Sequence, residues 1–162
     1  MTAHLPEVKQ SAALPEELRA CTPFLLARVG YAIKAVAIEE FERAGFSMYQ
    51  YSVLAVLGEG AKETQATVAD ALGLDRSQLV GVLDGLEERG LIERRRDAHD
   101  RRRHTVSVTA AGQRELVKMR TILARIEDSF FEPLDAAARQ GLHDALLQLA
   151  ARHDFRFGPP AP

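Results

Sequence analysis

Apolar side chains recur every three or four positions along most of this chain, a spacing that predicts helices with one buried face. The first long helix starts where Thr22 can N-cap and Pro23 suits the first helical position. Phe24, Leu25, Val29, Ile33, Val36 and Phe41 follow, and Gly45 is the natural stop. Ser47 caps a second helix, with Gln50 completing a capping-box pattern and Tyr51, Leu54, Ala55 and Leu57 as its stripe. Thr64 opens a short third helix that turns Val68, Ala69, Ala71 and Leu72 inward and closes at Gly73. Asp75 caps a fourth, again with Gln78 at the third position; Leu79, Val82, Leu83 and Leu86 face inward and Gly90 ends it. Upstream, residues 1–14 carry no periodicity, and 15–18 suffice only for a turn of helix.

The period then changes. Residues 91–96 and 104–109 are strand-length, and in the second Val106 and Val108 share one face while Thr105, Ser107 and Thr109 share the other. Between them lies a loop rich in arginine and aspartate, so a β-hairpin follows the helix-turn-helix directly. Thr109 caps a long helix from about Ala110 to Phe131, with Leu116, Met119, Leu123, Ile126 and Phe130 inward. Pro133 breaks the chain, and Asp135 caps a last helix carrying Leu142, Leu146 and Leu149. The predicted fold is mainly α with a small β-hairpin wing, a winged helix-turn-helix. Its parts are an N-terminal segment with the first long helix (1–45), the winged lobe (46–109) and the C-terminal helices and tail (110–162).

With 162 residues, 46% hydrophobic and 27% charged, the chain has the mix of one soluble globular domain. No apolar run is long enough for a membrane span, and the first residues lack the apolar core of a secretory signal, so the cytoplasm is the expected compartment. A net charge of −2 argues against nucleic-acid binding until its distribution is read. Residues 94–103 hold six arginines and two aspartates, net +4, which leaves −6 on the remainder. That is a localised anion contact on an acidic body. In a winged helix, the second helix of the motif enters the major groove by its N-terminal end. The hairpin tip reaches the flanking minor groove, whose potential favours arginine. Arg76 suits guanine, Gln78 adenine, and Ser77 a base or a phosphate; Ser77 and Gln78 equally suit simple capping. No catalytic motif or dinucleotide fingerprint is present, and Gly58-Glu-Gly-Ala-Lys62 lacks the ending of a phosphate loop. The five histidines show no ligand spacing, so neither a metal nor a cofactor is expected, and the chain does not read as an enzyme. Two rivals remain: a winged helix that binds protein and no specific DNA site, and a small enzyme of unfamiliar chemistry.

Several stretches, taken together, resemble the MarR family of transcriptional regulators. They are Phe46–Leu54, Thr64–Leu74, Asp75–Leu79, Leu86–Arg94, Asp100-Arg-Arg102 and Thr109-Ala-Ala-Gly112, within a match over roughly residues 20–152. The wing Asp-x-Arg followed by a strand and Thr-x-x-Gly is the most specific part. The resemblance implies a homodimer in which helices from both chain ends form dimerisation helices, and two winged lobes read a pseudo-palindrome in double-stranded DNA. Half-site centres then lie about 10 bp apart. It implies that Arg102 enters the minor groove and Asp100 orients the wing. The DNA-facing set becomes Thr64, Arg76, Ser77, Gln78, Val80, Gly81, Arg94, Arg96, Asp100, Arg101, Arg102 and Arg103. The chain departs from the pattern at Val80 and Gly81, where relatives commonly carry a polar residue and an arginine, and at Gly85. A repressor released by a small aromatic or anionic effector is the implied activity, with Phe24, Arg28, Tyr31, Tyr49 and Tyr51 as candidate effector residues. One branch of the family senses peroxide through a cysteine. Cys21 with Tyr51 is the counterpart here, although the sequence around Cys21 matches that branch poorly and an inert thiol is the plainer reading.

Overall fold

The computed structural model describes residues 13–59, 63–96 and 104–158. The chain divides into two compact units, residues 1–35 and 36–162. The first holds α1 (Glu16–Arg19) and the N-terminal part of α2 (Thr22–Arg43). None of its described residues is buried. Thr22 was the expected N-cap; instead the Cys21 carbonyl accepts from the Leu25 N–H at 3.0 Å. The helix therefore starts one residue earlier, and Pro23 still lies in the first turn, where a missing N–H leaves no hydrogen bond unmade.

In the second unit, α3 (Met48–Gly58) packs against α4 (Gln65–Leu72), α5 (Arg76–Glu88), α6 (Ala110–Phe130) and strand β3 (His104–Val108). Its sequence is apolar nearly all round for that reason. Val53, Leu54 and Leu57 are buried on it, and Phe41, Leu83, Leu86, Leu116 and Met119 complete the centre. The start of α3 follows the sequence: the Ser47 hydroxyl accepts from the Gln50 N–H at 3.2 Å, and the Gln50 side chain accepts from the Ser47 N–H at 3.0 Å. On α6 the buried face is Leu116, Met119, Ile122 and Ile126; Leu123 and Phe130, expected inward, are half-buried. Spacings of three, three and four keep these side chains over one stripe, and Ile122 takes the place given to Leu123.

The sheet has three antiparallel strands in the order β1-β3-β2. β2 (Ile92–Arg96) and β3 form the expected hairpin, with Ile92 opposite Val108 and Arg96 opposite His104. β1 (Glu63–Thr64) adds a short edge that sequence reading missed, because two residues show no alternation. α7 (Ala136–His153) buries nothing: Leu146, Leu147 and Leu149 remain 39–51% exposed. A 3-10 turn, Phe155–Phe157, follows. Its Arg156, held by Asp154, lies so close to Gly73 that a Cβ there would stand 1.7 Å from Nη1.

Candidate nucleic-acid interface

The helix-turn-helix is α4, a three-residue link (Gly73, Leu74 and Asp75) and α5. Thr64 caps α4 by accepting from the Thr67 N–H at 3.2 Å, and the Thr67 hydroxyl oxygen accepts from the Thr64 N–H at 2.9 Å. α4 ends in a paired bond pattern: the Leu74 N–H donates to the Ala69 carbonyl and the Gly73 N–H to Asp70. This Schellman turn needs a left-handed residue, supplied by Gly73 at φ +62°. Asp75 then caps α5, accepting from the Gln78 N–H at 2.8 Å and from the Ser77 hydroxyl at 2.6 Å. The Ser77 hydroxyl leads in holding the Asp75 carboxyl below the ordinary carboxylate range, with the Gln78 N–H next. Ser77 thus takes part in the cap of α5. The sequence had proposed a reciprocal box with Gln78, but only the Asp75 half of it forms.

On α5, Leu79, Leu83 and Leu86 are buried, whereas Arg76, Gln78, Val80 and Gly81 are exposed. All four thus lie exposed on the N-terminal half of the motif's second helix. A Cβ added at Gly81 would meet nothing within 4 Å, so no packing demand explains this glycine. At Gly85 the nearest atom would be Gln50 Nε2 at 3.6 Å, ordinary contact.

The wing is rooted on α5. A second Schellman turn at Gly90 (φ +67°) sends the Leu91 N–H to the Leu86 carbonyl and starts β2. Thr109 closes the hairpin from the other side. Its hydroxyl donates to the Gly90 carbonyl at 2.8 Å and accepts from the Gly112 N–H at 3.0 Å. Gly112 admits the Leu91 carbonyl oxygen to within 2.0 Å of where a Cβ would stand. The Thr-x-x-Gly motif is thus a joint between the wing and α6. Arg94, placed by sequence among the DNA-facing residues, points its guanidinium at α5, where Glu87 and Asp84 receive it. Arg95 pairs with Glu93 at 3.0 Å. Arg96 is exposed, and neither it nor Arg76 has an ion-pair partner among the described residues. Asp100, Arg101, Arg102 and Arg103 lie outside the described residues.

Sequence reasoning missed three groups here: Asp84, Glu87 and Arg89. Arg89, at the end of α5, donates to the Gly45 carbonyl at 2.9 Å and covers the Phe46 ring at 3.9 Å. The separations of 7, 10 and 44 residues in these contacts fit no local period. Only the Leu-Glu-Glu-Arg-Gly-Leu-Ile-Glu-Arg stretch offered a signal, since it alternates the charges that later meet.

Of the candidate effector residues, Tyr51 packs on Phe41 with ring centroids 5.4 Å apart, an ordinary core pair, and Tyr49 is exposed. In the first unit, Phe24 is half-buried, Arg28 and Tyr31 are exposed, and Cys21 is a half-buried free thiol. A groove of about 500 Å3 lies between the α2–α3 turn and α6. Phe46, Met119 and Ile122 line it with apolar surface, and Lys118, Thr121 and Arg125 add donors. Neither Tyr49 nor Tyr51 lines it. Among the described residues no cluster of His, Cys, Asp or Glu could hold a metal, and no helix is long and apolar enough to cross a membrane.

The MarR family model matches residues 44–103, from the turn before α3 to the residue before β3. A transcriptional regulator (MarR family) from Rhodococcus sp. RHA1 has a solved structure that is 32% identical, with TM-score 0.71 over 86% of this chain and 96% of that one. The chain belongs to the MarR family. A second MarR-like match is a transcriptional repressor, CouR, bound to a 23-mer DNA duplex: 30% identity and TM-score 0.77 over 86% of this chain and 99% of that one. CouR from Rhodococcus jostii RHA1, bound to p-coumaroyl-CoA, matches at 30% identity and TM-score 0.69 over 86% and 96%. The chain also matches curated transcriptional regulators at 29–33% identity and spans 60–67% of their length.

Proposed function

We propose that this MarR-family chain is a cytoplasmic, homodimeric repressor that binds a pseudo-palindromic duplex and is released by a small aromatic anion. The observation that carries the DNA reading is the exposed first half of α5. Arg76, Gln78, Val80 and Gly81 stand exposed at the N-terminal half of a capped recognition helix, and the sequence carries Arg101, Arg102 and Arg103 between β2 and β3. A 30% identical repressor solved on duplex DNA supports it. The exposed leucines of α7 support the dimer, since burying them against a second copy would gain about 25 cal/mol per Å2 of apolar surface. The groove on α6 supports the effector. Its apolar lining suits an aromatic ring and Arg125 suits a carboxylate or phosphate, while Lys118 is held by Glu115, also in the lining, at 2.6 Å. p-Coumaroyl-CoA on a relative has both features.

The test is to enrich duplexes from a random pool with the purified protein and titrate the enriched sequence at several salt concentrations against excess unrelated duplex. Site-specific binding should survive competitor, fall steeply with salt and weaken with Arg102→Ala. Enrichment of no sequence, or a titration that Arg102→Ala leaves unchanged, would favour a protein-interaction module.

A further inference from the structure

Arg94 stands at the root of the wing with its guanidinium turned away from solvent and onto α5. Its Nε–H donates to Glu87 Oε2 at 2.8 Å, and Nη2 donates to Asp84 Oδ1 at 2.6 Å and also to Glu87 Oε2. The same Glu87 accepts the Arg94 backbone N–H on Oε1 at 3.1 Å. Glu87 thus grips β2 by main chain and side chain together. Asp84 and Glu87 are three residues apart on α5, so they form one acidic edge along the recognition helix. Arg94's side chain is 22% exposed, the most sheltered of the ion-paired arginines among the described residues.

We propose that Arg94 is a positioning residue: with Asp84 and Glu87 it sets the angle between the recognition helix and the wing, and it does not itself contact DNA. The inference rests on the DNA-binding reading above. A winged lobe must place α5 in one groove and the wing tip in its neighbour at the same time, so a loose joint loses orientation before either contact forms. The Gly90 turn alone gives a pivot; the three-residue clamp turns it into a fixed corner. Charge leads to the same reading. Two carboxylates on a helix that enters a groove repel the phosphates there unless a cation neutralises them. An arginine whose fork is committed to them has little left for phosphate. Arg76 and Arg96, exposed and unpaired among the described residues, are the free cations nearby.

The experiment uses the full chain and the duplex enriched from a random pool by the wild-type protein. Affinity is read by fluorescence anisotropy at several salt concentrations for wild type, Arg94→Gln, Glu87→Gln and the double variant. Stoichiometric titration of each gives the active fraction, so misfolding cannot pass for weak binding. Glu87→Gln is decisive because removing a negative charge beside DNA should by itself tighten binding. The clamp predicts the opposite: each single variant binds about tenfold more weakly, the double no worse than the weaker single, and the salt slope is unchanged. Glu87→Gln binding as tightly as wild type or tighter would overturn the proposal. So would additive losses, a salt slope reduced by about one phosphate in Arg94→Gln, or variants whose active fraction falls while its affinity stays the same. A wild type that enriches no duplex sinks the DNA reading and this inference with it. A wild type that enriches one, with Arg102→Ala weak and Glu87→Gln unharmed, sinks this inference alone.

Discussion

Gly112 leaves no room for a methyl group. An added Cβ would meet the Leu91 carbonyl oxygen at 2.0 Å and Val108 Cγ2 at 2.7 Å, and the first is backbone that cannot turn aside. Gly112→Ala should therefore destabilise the fold by about 1–3 kcal/mol, an overpacking cost, and lower the melting temperature by roughly 2–4 °C per kcal/mol. Calorimetry of the two proteins checks this; an unchanged melting temperature would show that the wing–α6 joint gives way freely. Carboxylates at Asp75, Glu87 and Asp154 are held below the ordinary range, chiefly by the Ser77 hydroxyl, by Arg94 and by Arg156 respectively. A depressed folded-state value adds stability above the unfolded value of about 4 and loses it as pH falls through the folded one. Urea midpoints should thus be level from neutral pH to about 5 and fall below about 4. Glu87→Gln should flatten part of that fall.

Gly81 carries the prediction that belongs to α5. Nothing lies within 4 Å of a Cβ at this position, so Gly81→Ala should stabilise the helix by about 0.5–1 kcal/mol. If the glycine lets the helix backbone approach DNA closely, the same variant should bind the enriched duplex several-fold more weakly while melting higher. Tighter folding with unchanged affinity would assign affinity to the wing instead. The opposition of stability and binding separates this from the effect at Gly112, where the contact is internal.

The proposed dimer gives α7 a role. Leu146, Leu147 and Leu149 stay exposed on one chain, and burying them against a second copy would stabilise it. Leu146→Glu with Leu149→Glu should leave the single chain folded, because neither side chain is buried in it, yet shift sedimentation from dimer to monomer. DNA binding should fall with it, since half-sites are then read singly. A wild type that sediments as a monomer at micromolar concentration would remove the dimer from the proposed function.

Capping and stopping were legible in the residues because they are local chemistry. Ser47, Thr64, Asp75, Thr109 and Asp135 each accept the N–H three residues on. Gly45, Gly73 and Gly90 each take the positive φ that a stop needs. The strand pair 92–96 and 104–108 was legible from its period, and the arginine cluster from its density. Contacts between elements were not. Arg94 on Asp84 and Glu87, Arg89 on Phe46 and Gly45, and Gly112 under Leu91 join residues whose separation has no periodic signature. Each depends on how the Gly90 turn and the packing around α3 aim two chain segments at each other. Local hydrogen bonding chose the helices and their ends; which charges ended up facing solvent and which were spent inside the joint was decided only when those helices and strands met.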